Sequence, residues 1–162
     1  MSDTAQVRVE RSVVVTRPDW EVFTFVADAE NDVLWRARSL YVHKAYQGPM
    51  GLGATYWYVS HRRWGRRTGI LRVVAYEPDS HVAYEGSFDG GVQPRDSYRF
   101  ECVDGGTRIT ATYAPRLSGL SRLFAAYTFM RIGRDLGDDL AQLKRLLSNP
   151  ARGDALVDAI RR

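Results

Sequence analysis

From Val7 to Val15 apolar and polar residues alternate: Val7, Val9, Val13 and Val15 fall on one face, Arg8, Glu10 and Ser12 on the other. A period of two predicts a half-buried strand, with Arg11 an exception on the apolar face. Thr16-Arg17-Pro18-Asp19 follows; Thr three residues ahead of Asp suits a capping box, and Pro is tolerated in a first helical turn. Val22, Phe23 and Val26 then recur at helical spacing. They predict a short helix to about Ala27, with a second short helical piece from Ala29 to Trp35.

Between Ser39 and Pro115 the texture changes to short runs rich in Val, Tyr, Trp, Phe and Thr, separated by turn clusters. Strands are expected near 39–46, 53–62, 67–77, 81–88, 94–103 and 107–115. Gly48-Pro49-Met50-Gly51, Trp64-Gly65, Pro78-Asp79-Ser80, Asp89-Gly90-Gly91 and Asp104-Gly105-Gly106 supply the turns. Connections this short imply sequential antiparallel pairing in a meander.

Leu120 to Leu147 reads as one long helix. Phe129, Ile132, Leu136, Leu140, Leu143 and Leu147 step by three or four residues, and Asp135, Asp138, Asp139, Lys144 and Arg145 lie mainly on the other side. Asn149-Pro150 ends it. At 1.5 Å per residue it would be roughly 40 Å long, enough to span a sheet. A loose tail or one weak helical turn is expected over 150–162. No repeat or interior linker divides the chain, so 1–149 is expected to form one domain. The order strand, two short helices, six strands, long helix is an α+β pattern. Its natural solution is a seven-stranded curved antiparallel sheet wrapped around the C-terminal helix.

Composition narrows the picture. A chain of 162 residues can bury a substantial core without staples. Cys102 is the sole cysteine, which excludes an intramolecular disulfide framework and a cysteine-rich zinc site. The longest apolar runs fall far short of the ~20 residues needed to cross a bilayer. The opening MSDTAQVRVER lacks a secretory h-region, so a soluble cytoplasmic protein without integral membrane association is expected. The net charge is only +4, and all cationic residues but Lys44 and Lys144 are arginine. That is a compositional bias, and Arg becomes informative only where it clusters.

Several local motifs, in this order, resemble the START-related helix-grip superfamily (SRPBCC), and within it the polyketide cyclase/dehydrase and lipid-transport family. They are Val15-Thr16-Arg17-Pro18-Asp19-Trp20-Glu21-Val22-Phe23, Asp28-Ala29-Glu30-Asn31 with Trp35, and Gly51-Leu52-Gly53-Ala54-Thr55-Tyr56. Val74-Ala75-Tyr76-Glu77-Pro78, Tyr98-Arg99-Phe100-Glu101, Asp104-Gly105-Gly106-Thr107-Arg108 and Asp139-Leu140-Ala141-Gln142-Leu143-Lys144-Arg145 complete the set. The resemblance covers roughly residues 6–148. It implies a deep cavity between concave sheet and C-terminal helix, used in the superfamily for lipids, sterols, polyketides, plant hormones or quinones. Some members cyclise or dehydrate a bound polyketide. Others only carry or sense a ligand, so the fold does not decide the function.

Candidate site residues follow from that expectation. Tyr56, Tyr58, Tyr84, Tyr98 and Tyr113 sit on strands, where alternate positions face a concavity. With Trp35 and Phe129 they would offer apolar bodies and polar handles to a flat, partly oxygenated ligand; ordinary core packing is the competing explanation. Gly133 and Gly137 interrupt the long helix at about 1 kcal/mol each relative to Ala, so either ligand room or a tight packing contact is expected there. Arg72, among Ile70, Leu71, Val73 and Val74, would need a partner if it points inward and could then hold a ligand oxygen; outward, it pairs with a residue such as Glu85.

His61-Arg62-Arg63-Trp64-Gly65-Arg66-Arg67 reads as an Arg-rich hairpin tip, either a solvated turn or a surface for an anionic partner. No nucleic-acid-binding motif accompanies it, so no nucleic-acid partner is expected. His43, His61 and His81 lack metal-ligand spacing, and no metal or other cofactor is expected. No GxSxG elbow is present, and catalytic residues remain unassigned. The leading expectation is binding of a hydrophobic or aromatic small molecule in the cavity. A polyketide cyclase/aromatase or dehydratase acting there, and a protein-binding module using the 61–67 hairpin, are the alternatives. A homodimer is compatible with the sequence.

Overall fold

The computed structural model describes residues 8–62, 64–116 and 125–149, with positions 151, 155 and 158 of the tail. Its elements are β1 (Val9–Val15), α1 (Asp19–Ala27), a 3-10 turn (Ala29–Asn31), α2 (Asp32–Trp35), β2 (Ser39–Lys44), β3 (Thr55–Arg62), β4 (Gly65–Glu77), β5 (His81–Phe88), β6 (Arg95–Val103), β7 (Gly106–Tyr113) and α3 (Ala125–Ser148). The expected strands all form, each within a few residues of its anticipated ends. Ala151, Ala155 and Asp158 have helical backbone, and the start expected for the long helix at Leu120 lies outside the described residues.

All seven strands form one antiparallel sheet in the order β1-β7-β6-β5-β4-β3-β2. Strands β2 to β7 make the meander, while β1 closes the far edge by pairing with β7. Helices α1 and α2 therefore carry the chain from one edge to the other and cover one end of the concave face. Gly106 allows the β1–β7 closure: its φ is +150°, and a Cβ there would lie 2.0 Å from the Val15 carbonyl oxygen.

The core lies on the concave side. Helix α1 buries Val22, Phe23, Phe25 and Val26, and the Phe23 ring meets Tyr76 and Phe100 edge-on at 5.3 and 5.4 Å. Helix α3 inserts Leu136, Leu140, Leu143, Leu146 and Leu147. Each fully buried leucine contributes about 2 kcal/mol of apolar desolvation, which holds the helix against the sheet. The C-terminal end of α3 is tied down by Arg17, whose Nε donates to the Leu147 carbonyl at 2.9 Å while its guanidinium pairs with Glu21. A cation there satisfies an orphan carbonyl and complements the helix dipole.

Two local expectations change. No capping box forms at Thr16: α1 starts after the extended Pro18, and Asp19 accepts the Trp20 N–H at 2.8 Å. The apolar stripe of α3 also ends sooner than its spacing implies. Phe129 is 40% exposed, and its neighbours Tyr127 and Met130 are more exposed still, so among the described residues burial on α3 begins only at Ile132 and Gly133.

Candidate functional site

A cavity of about 380 Å³ opens between the concave face and α3. Small-molecule sites span about 300–1,000 Å³. Its position follows from strand alternation. Tyr58 and Ser60 of β3, and Arg67 and Leu71 of β4, share the inward face, joined by Asp96 of β6 and Tyr113 of β7. Phe88, Val92 and Pro94 make an apolar shoulder. Helix α3 supplies Ile132, Asp135, Leu136 and Asp139, and the α2–β2 corner supplies Arg36, Arg38 and Ser39.

Arg36 organises one wall. Its guanidinium reaches Asp32 at 3.4 Å, Asp96 at 3.2 Å and Asp139 at 3.9 Å. Three carboxylates from α2, β6 and α3 thus converge on one cation, which welds the helical end of the fold to the sheet. Asp139 also accepts the Ala37 N–H at 3.0 Å. Beside this cluster, Arg38 pairs with Asp135 at 2.7 Å. Burial works against the Arg36 charge, but Tyr98, Asp96, Tyr58 and Asp32 around it more than compensate and keep it protonated.

Asp32 is the titratable member. It is 4% exposed, and burial pushes its carboxyl up to about 6, against the pull of Arg36 and of the Tyr58 hydroxyl, which donates to Oδ2 at 3.0 Å. Tyr58 also hydrogen-bonds Ser39 Oγ, and its phenol is raised by burial and by the Asp32 charge. The Tyr58 hydroxyl is therefore a polar bridge between the cavity and a carboxyl able to hold a proton near neutral pH. Asp139 is likewise raised, chiefly by burial.

Residues 6–148 match the family described as polyketide cyclase/dehydrase and lipid transport. The chain belongs to this family. Solved structures with the same fold include DR_A0006 from Deinococcus radiodurans (16% identity over 87% of this chain and 96% of that one, TM-score 0.64). TTHA0849 from Thermus thermophilus is similar at 15% identity, 86% and 94% coverage, and TM-score 0.67. The di-domain ARO/CYC StfQ from the steffimycin biosynthetic pathway matches at 12% identity and TM-score 0.70, over 86% of this chain and 50% of that protein. At these identities the likeness is one of fold. None of the curated proteins matches the chain.

Within this cyclase/dehydrase-family fold the sequence-selected residues divide. Tyr58 and Tyr113 line the cavity. Trp35, Tyr84 and Tyr98 are buried behind its wall, with the Tyr98 ring edge-on to both Trp35 and Tyr84. Tyr84 donates to the Ala27 carbonyl at 2.6 Å, and Tyr56 donates to Asp28 at 3.3 Å and contacts Met50. These two phenols hold the end of α1 rather than facing the cavity. The Trp35 indole lies under the Arg36 guanidinium at 5.7 Å, with its Nε1 buried and unpartnered.

Three candidates lie elsewhere. Arg72 is exposed on the convex face, across from Glu85 in the β4–β5 register. Phe129 is on the exposed side of α3. Gly133 packs against β1: a Cβ there would sit 2.7 Å from Arg11 Nη2 and 3.5 Å from Val9 Cγ1, so the glycine makes way for Arg11. The inward-facing charges were the missed part. Asp32 and Arg36, and Asp135 and Asp139, are spaced four apart, and Asp96 shares the alternation of Tyr98 and Phe100. In the Arg-rich hairpin, Arg66 and Trp64 are exposed, Arg67 turns into the cavity, and Arg63 lies outside the described residues.

Proposed function

We propose that the chain binds a flat, partly oxygenated hydrophobic molecule in the cavity beneath α3. The observation that carries this reading is the cavity's division into an apolar shoulder (Phe88, Val92, Pro94, Ile132, Leu136) and a polar wall built on Arg36 and Tyr58. Desolvation of the ligand's apolar surface supplies the driving force, and the few fixed polar groups orient it. Native mass spectrometry of the purified protein tests for a co-purifying molecule, and calorimetry with 2-naphthol tests the pocket directly. Ile132→Trp, which fills the cavity from its α3 side, is expected to weaken naphthol binding by about tenfold or more. Wild-type protein with neither a bound molecule nor affinity for naphthol would sink the reading.

A second reading, cyclisation or dehydration of a bound poly-β-ketone, is favoured by the Asp32–Tyr58 pair. A carboxylate whose midpoint is raised to about 6 is a stronger base than an ordinary aspartate, and is suited to take a proton from a ketone α-carbon through the phenol bridge and return it to a departing hydroxyl. StfQ, named as an ARO/CYC protein, shares the fold. Here Asp32→Asn would abolish turnover of a linear poly-β-ketone mimic while leaving its binding intact. Binding without turnover by the wild type restricts the protein to the carrier role.

A further inference from the structure

The cavity's charges do not cancel in pairs. Six formally charged Arg and Asp side chains line it: Arg36, Arg38, Arg67, Asp96, Asp135 and Asp139. Asp96 and Asp139 are taken by Arg36, and Asp135 by Arg38. Arg67 has no acidic partner among the described residues, and its Nε is buried in the wall with no hydrogen-bond partner. Burying a guanidinium N–H without an acceptor costs about 1–3 kcal/mol, so the stem of Arg67 is held in the wall at a cost while its charge, at the cavity, is left without a counter-charge from the described residues.

The surroundings define that acceptor. Ser60 stands directly across from Arg67 in the β3–β4 register, and its side chain also lines the cavity. The Arg67 charge reaches Tyr113, easing ionisation of a phenol that burial pushes up to about 12. Two positions along β4 on the same face, Gly69 leaves space in which the Phe88 ring sits; a Cβ there would be 2.5 Å from Phe88 Cγ. A planar donor fork thus stands beside an aromatic floor. A guanidinium matches a carboxylate through two parallel N–H···O bonds.

We propose that Arg67, assisted by Ser60, anchors the carboxylate of a planar aromatic acid whose ring system lies toward Phe88 and Leu71. The inference rests on the cavity reading above and names the ligand class. It also reassigns Arg67 from a surface hairpin to the ligand site.

Calorimetric titration with naphthalene-2-carboxylate and its neutral isostere naphthalene-2-carboxamide tests it at a pH where the acid is ionised. The wild type is expected to prefer the carboxylate by about tenfold or more. Arg67→Gln is expected to bring the two affinities together while the carboxamide still binds. Arg67→Lys, which keeps charge but not the fork, should fall between. Arg66→Gln, on the outward face, should keep the wild-type ratio. If both probes bind the wild type equally, the anchor fails and the cavity reading stands. If Arg67→Gln folds and keeps the preference, the anchor likewise fails. If neither probe binds, the cavity reading falls and takes the anchor with it.

Discussion

The Tyr58 hydroxyl donates to Asp32 Oδ2 at 3.0 Å while contacting Ser39 Oγ on its other side. One phenol thereby joins the cavity to a carboxyl sealed behind it. The pH behaviour of the site follows from this link.

Asp32 takes up its proton more readily in the folded chain than in the unfolded one, with its carboxyl raised from 3.8 to about 6. Such a group favours the folded state at low pH and withdraws that support as pH rises from about 4 to about 6. The wild type should therefore lose about 3 kcal/mol of stability relative to Asp32→Asn across this interval, since each pKa unit is 1.36 kcal/mol. Denaturant unfolding of both proteins at a series of pH values measures the difference. A flat difference would show that Asp32 ionises at an ordinary value.

Tyr58→Phe removes the hydrogen bond that favours the Asp32 carboxylate. The Asp32 midpoint should then move further up from about 6, visible in a carbon-detected NMR titration of its carboxyl. An unchanged or lowered midpoint would mean that the phenol does not hold the charged form.

Arg36→Met leaves Asp32, Asp96 and Asp139 facing one another without their shared cation. The expected cost is about 3–5 kcal/mol at neutral pH. It should shrink in mildly acidic buffer, because protonation relieves the stranded carboxylates. Thermal unfolding at pH 5 and pH 7 distinguishes this from a simple packing defect, which would cost the same at both.

Two glycines should respond oppositely to alanine. A Cβ on Gly137 meets nothing within 4 Å, so Gly137→Ala should stabilise α3 by about 0.5–1 kcal/mol. Gly106→Ala puts a methyl onto the Val15 carbonyl at a backbone angle side chains avoid, and should destabilise by more than about 2 kcal/mol. Chemical denaturation midpoints of the two variants test both signs.

Strand alternation, helical spacing and glycine-marked turns made the element order legible, because each depends on neighbours in the chain. Pairing of β1 with β7 instead of with its sequence neighbours was not legible, since it depends on where α1 and α2 deliver the chain. At the site, Tyr58 and Tyr113 stood out through alternation and chemistry together. Tyr56 and Tyr84 have the same alternation, but their hydroxyls bond Asp28 and the Ala27 carbonyl, at the end of a helix whose placement is tertiary. Arg72 and Arg67 show the limit most sharply. Both lie on β4, yet their odd–even offset sends one outward and the other into the cavity. Composition gave them equal weight, and only the register separates them. Gly133 was explained by Arg11, a residue on the opposite end of the chain.

The β1–β7 seam also constrains how the chain comes to be folded. Ser12 hydrogen-bonds Thr110, 98 positions away, and α3 then packs chiefly on the strand so placed. Contacts this distant must pay their loop-closure entropy before they return any stability, which slows the search. A ribosome would have to deliver the chain through Tyr113 at the end of β7 before β1 found its place. Until then the edge of β7 and the apolar stripe of α3 would both stand uncovered, which makes the interval before closure the time at which this protein is most open to aggregation.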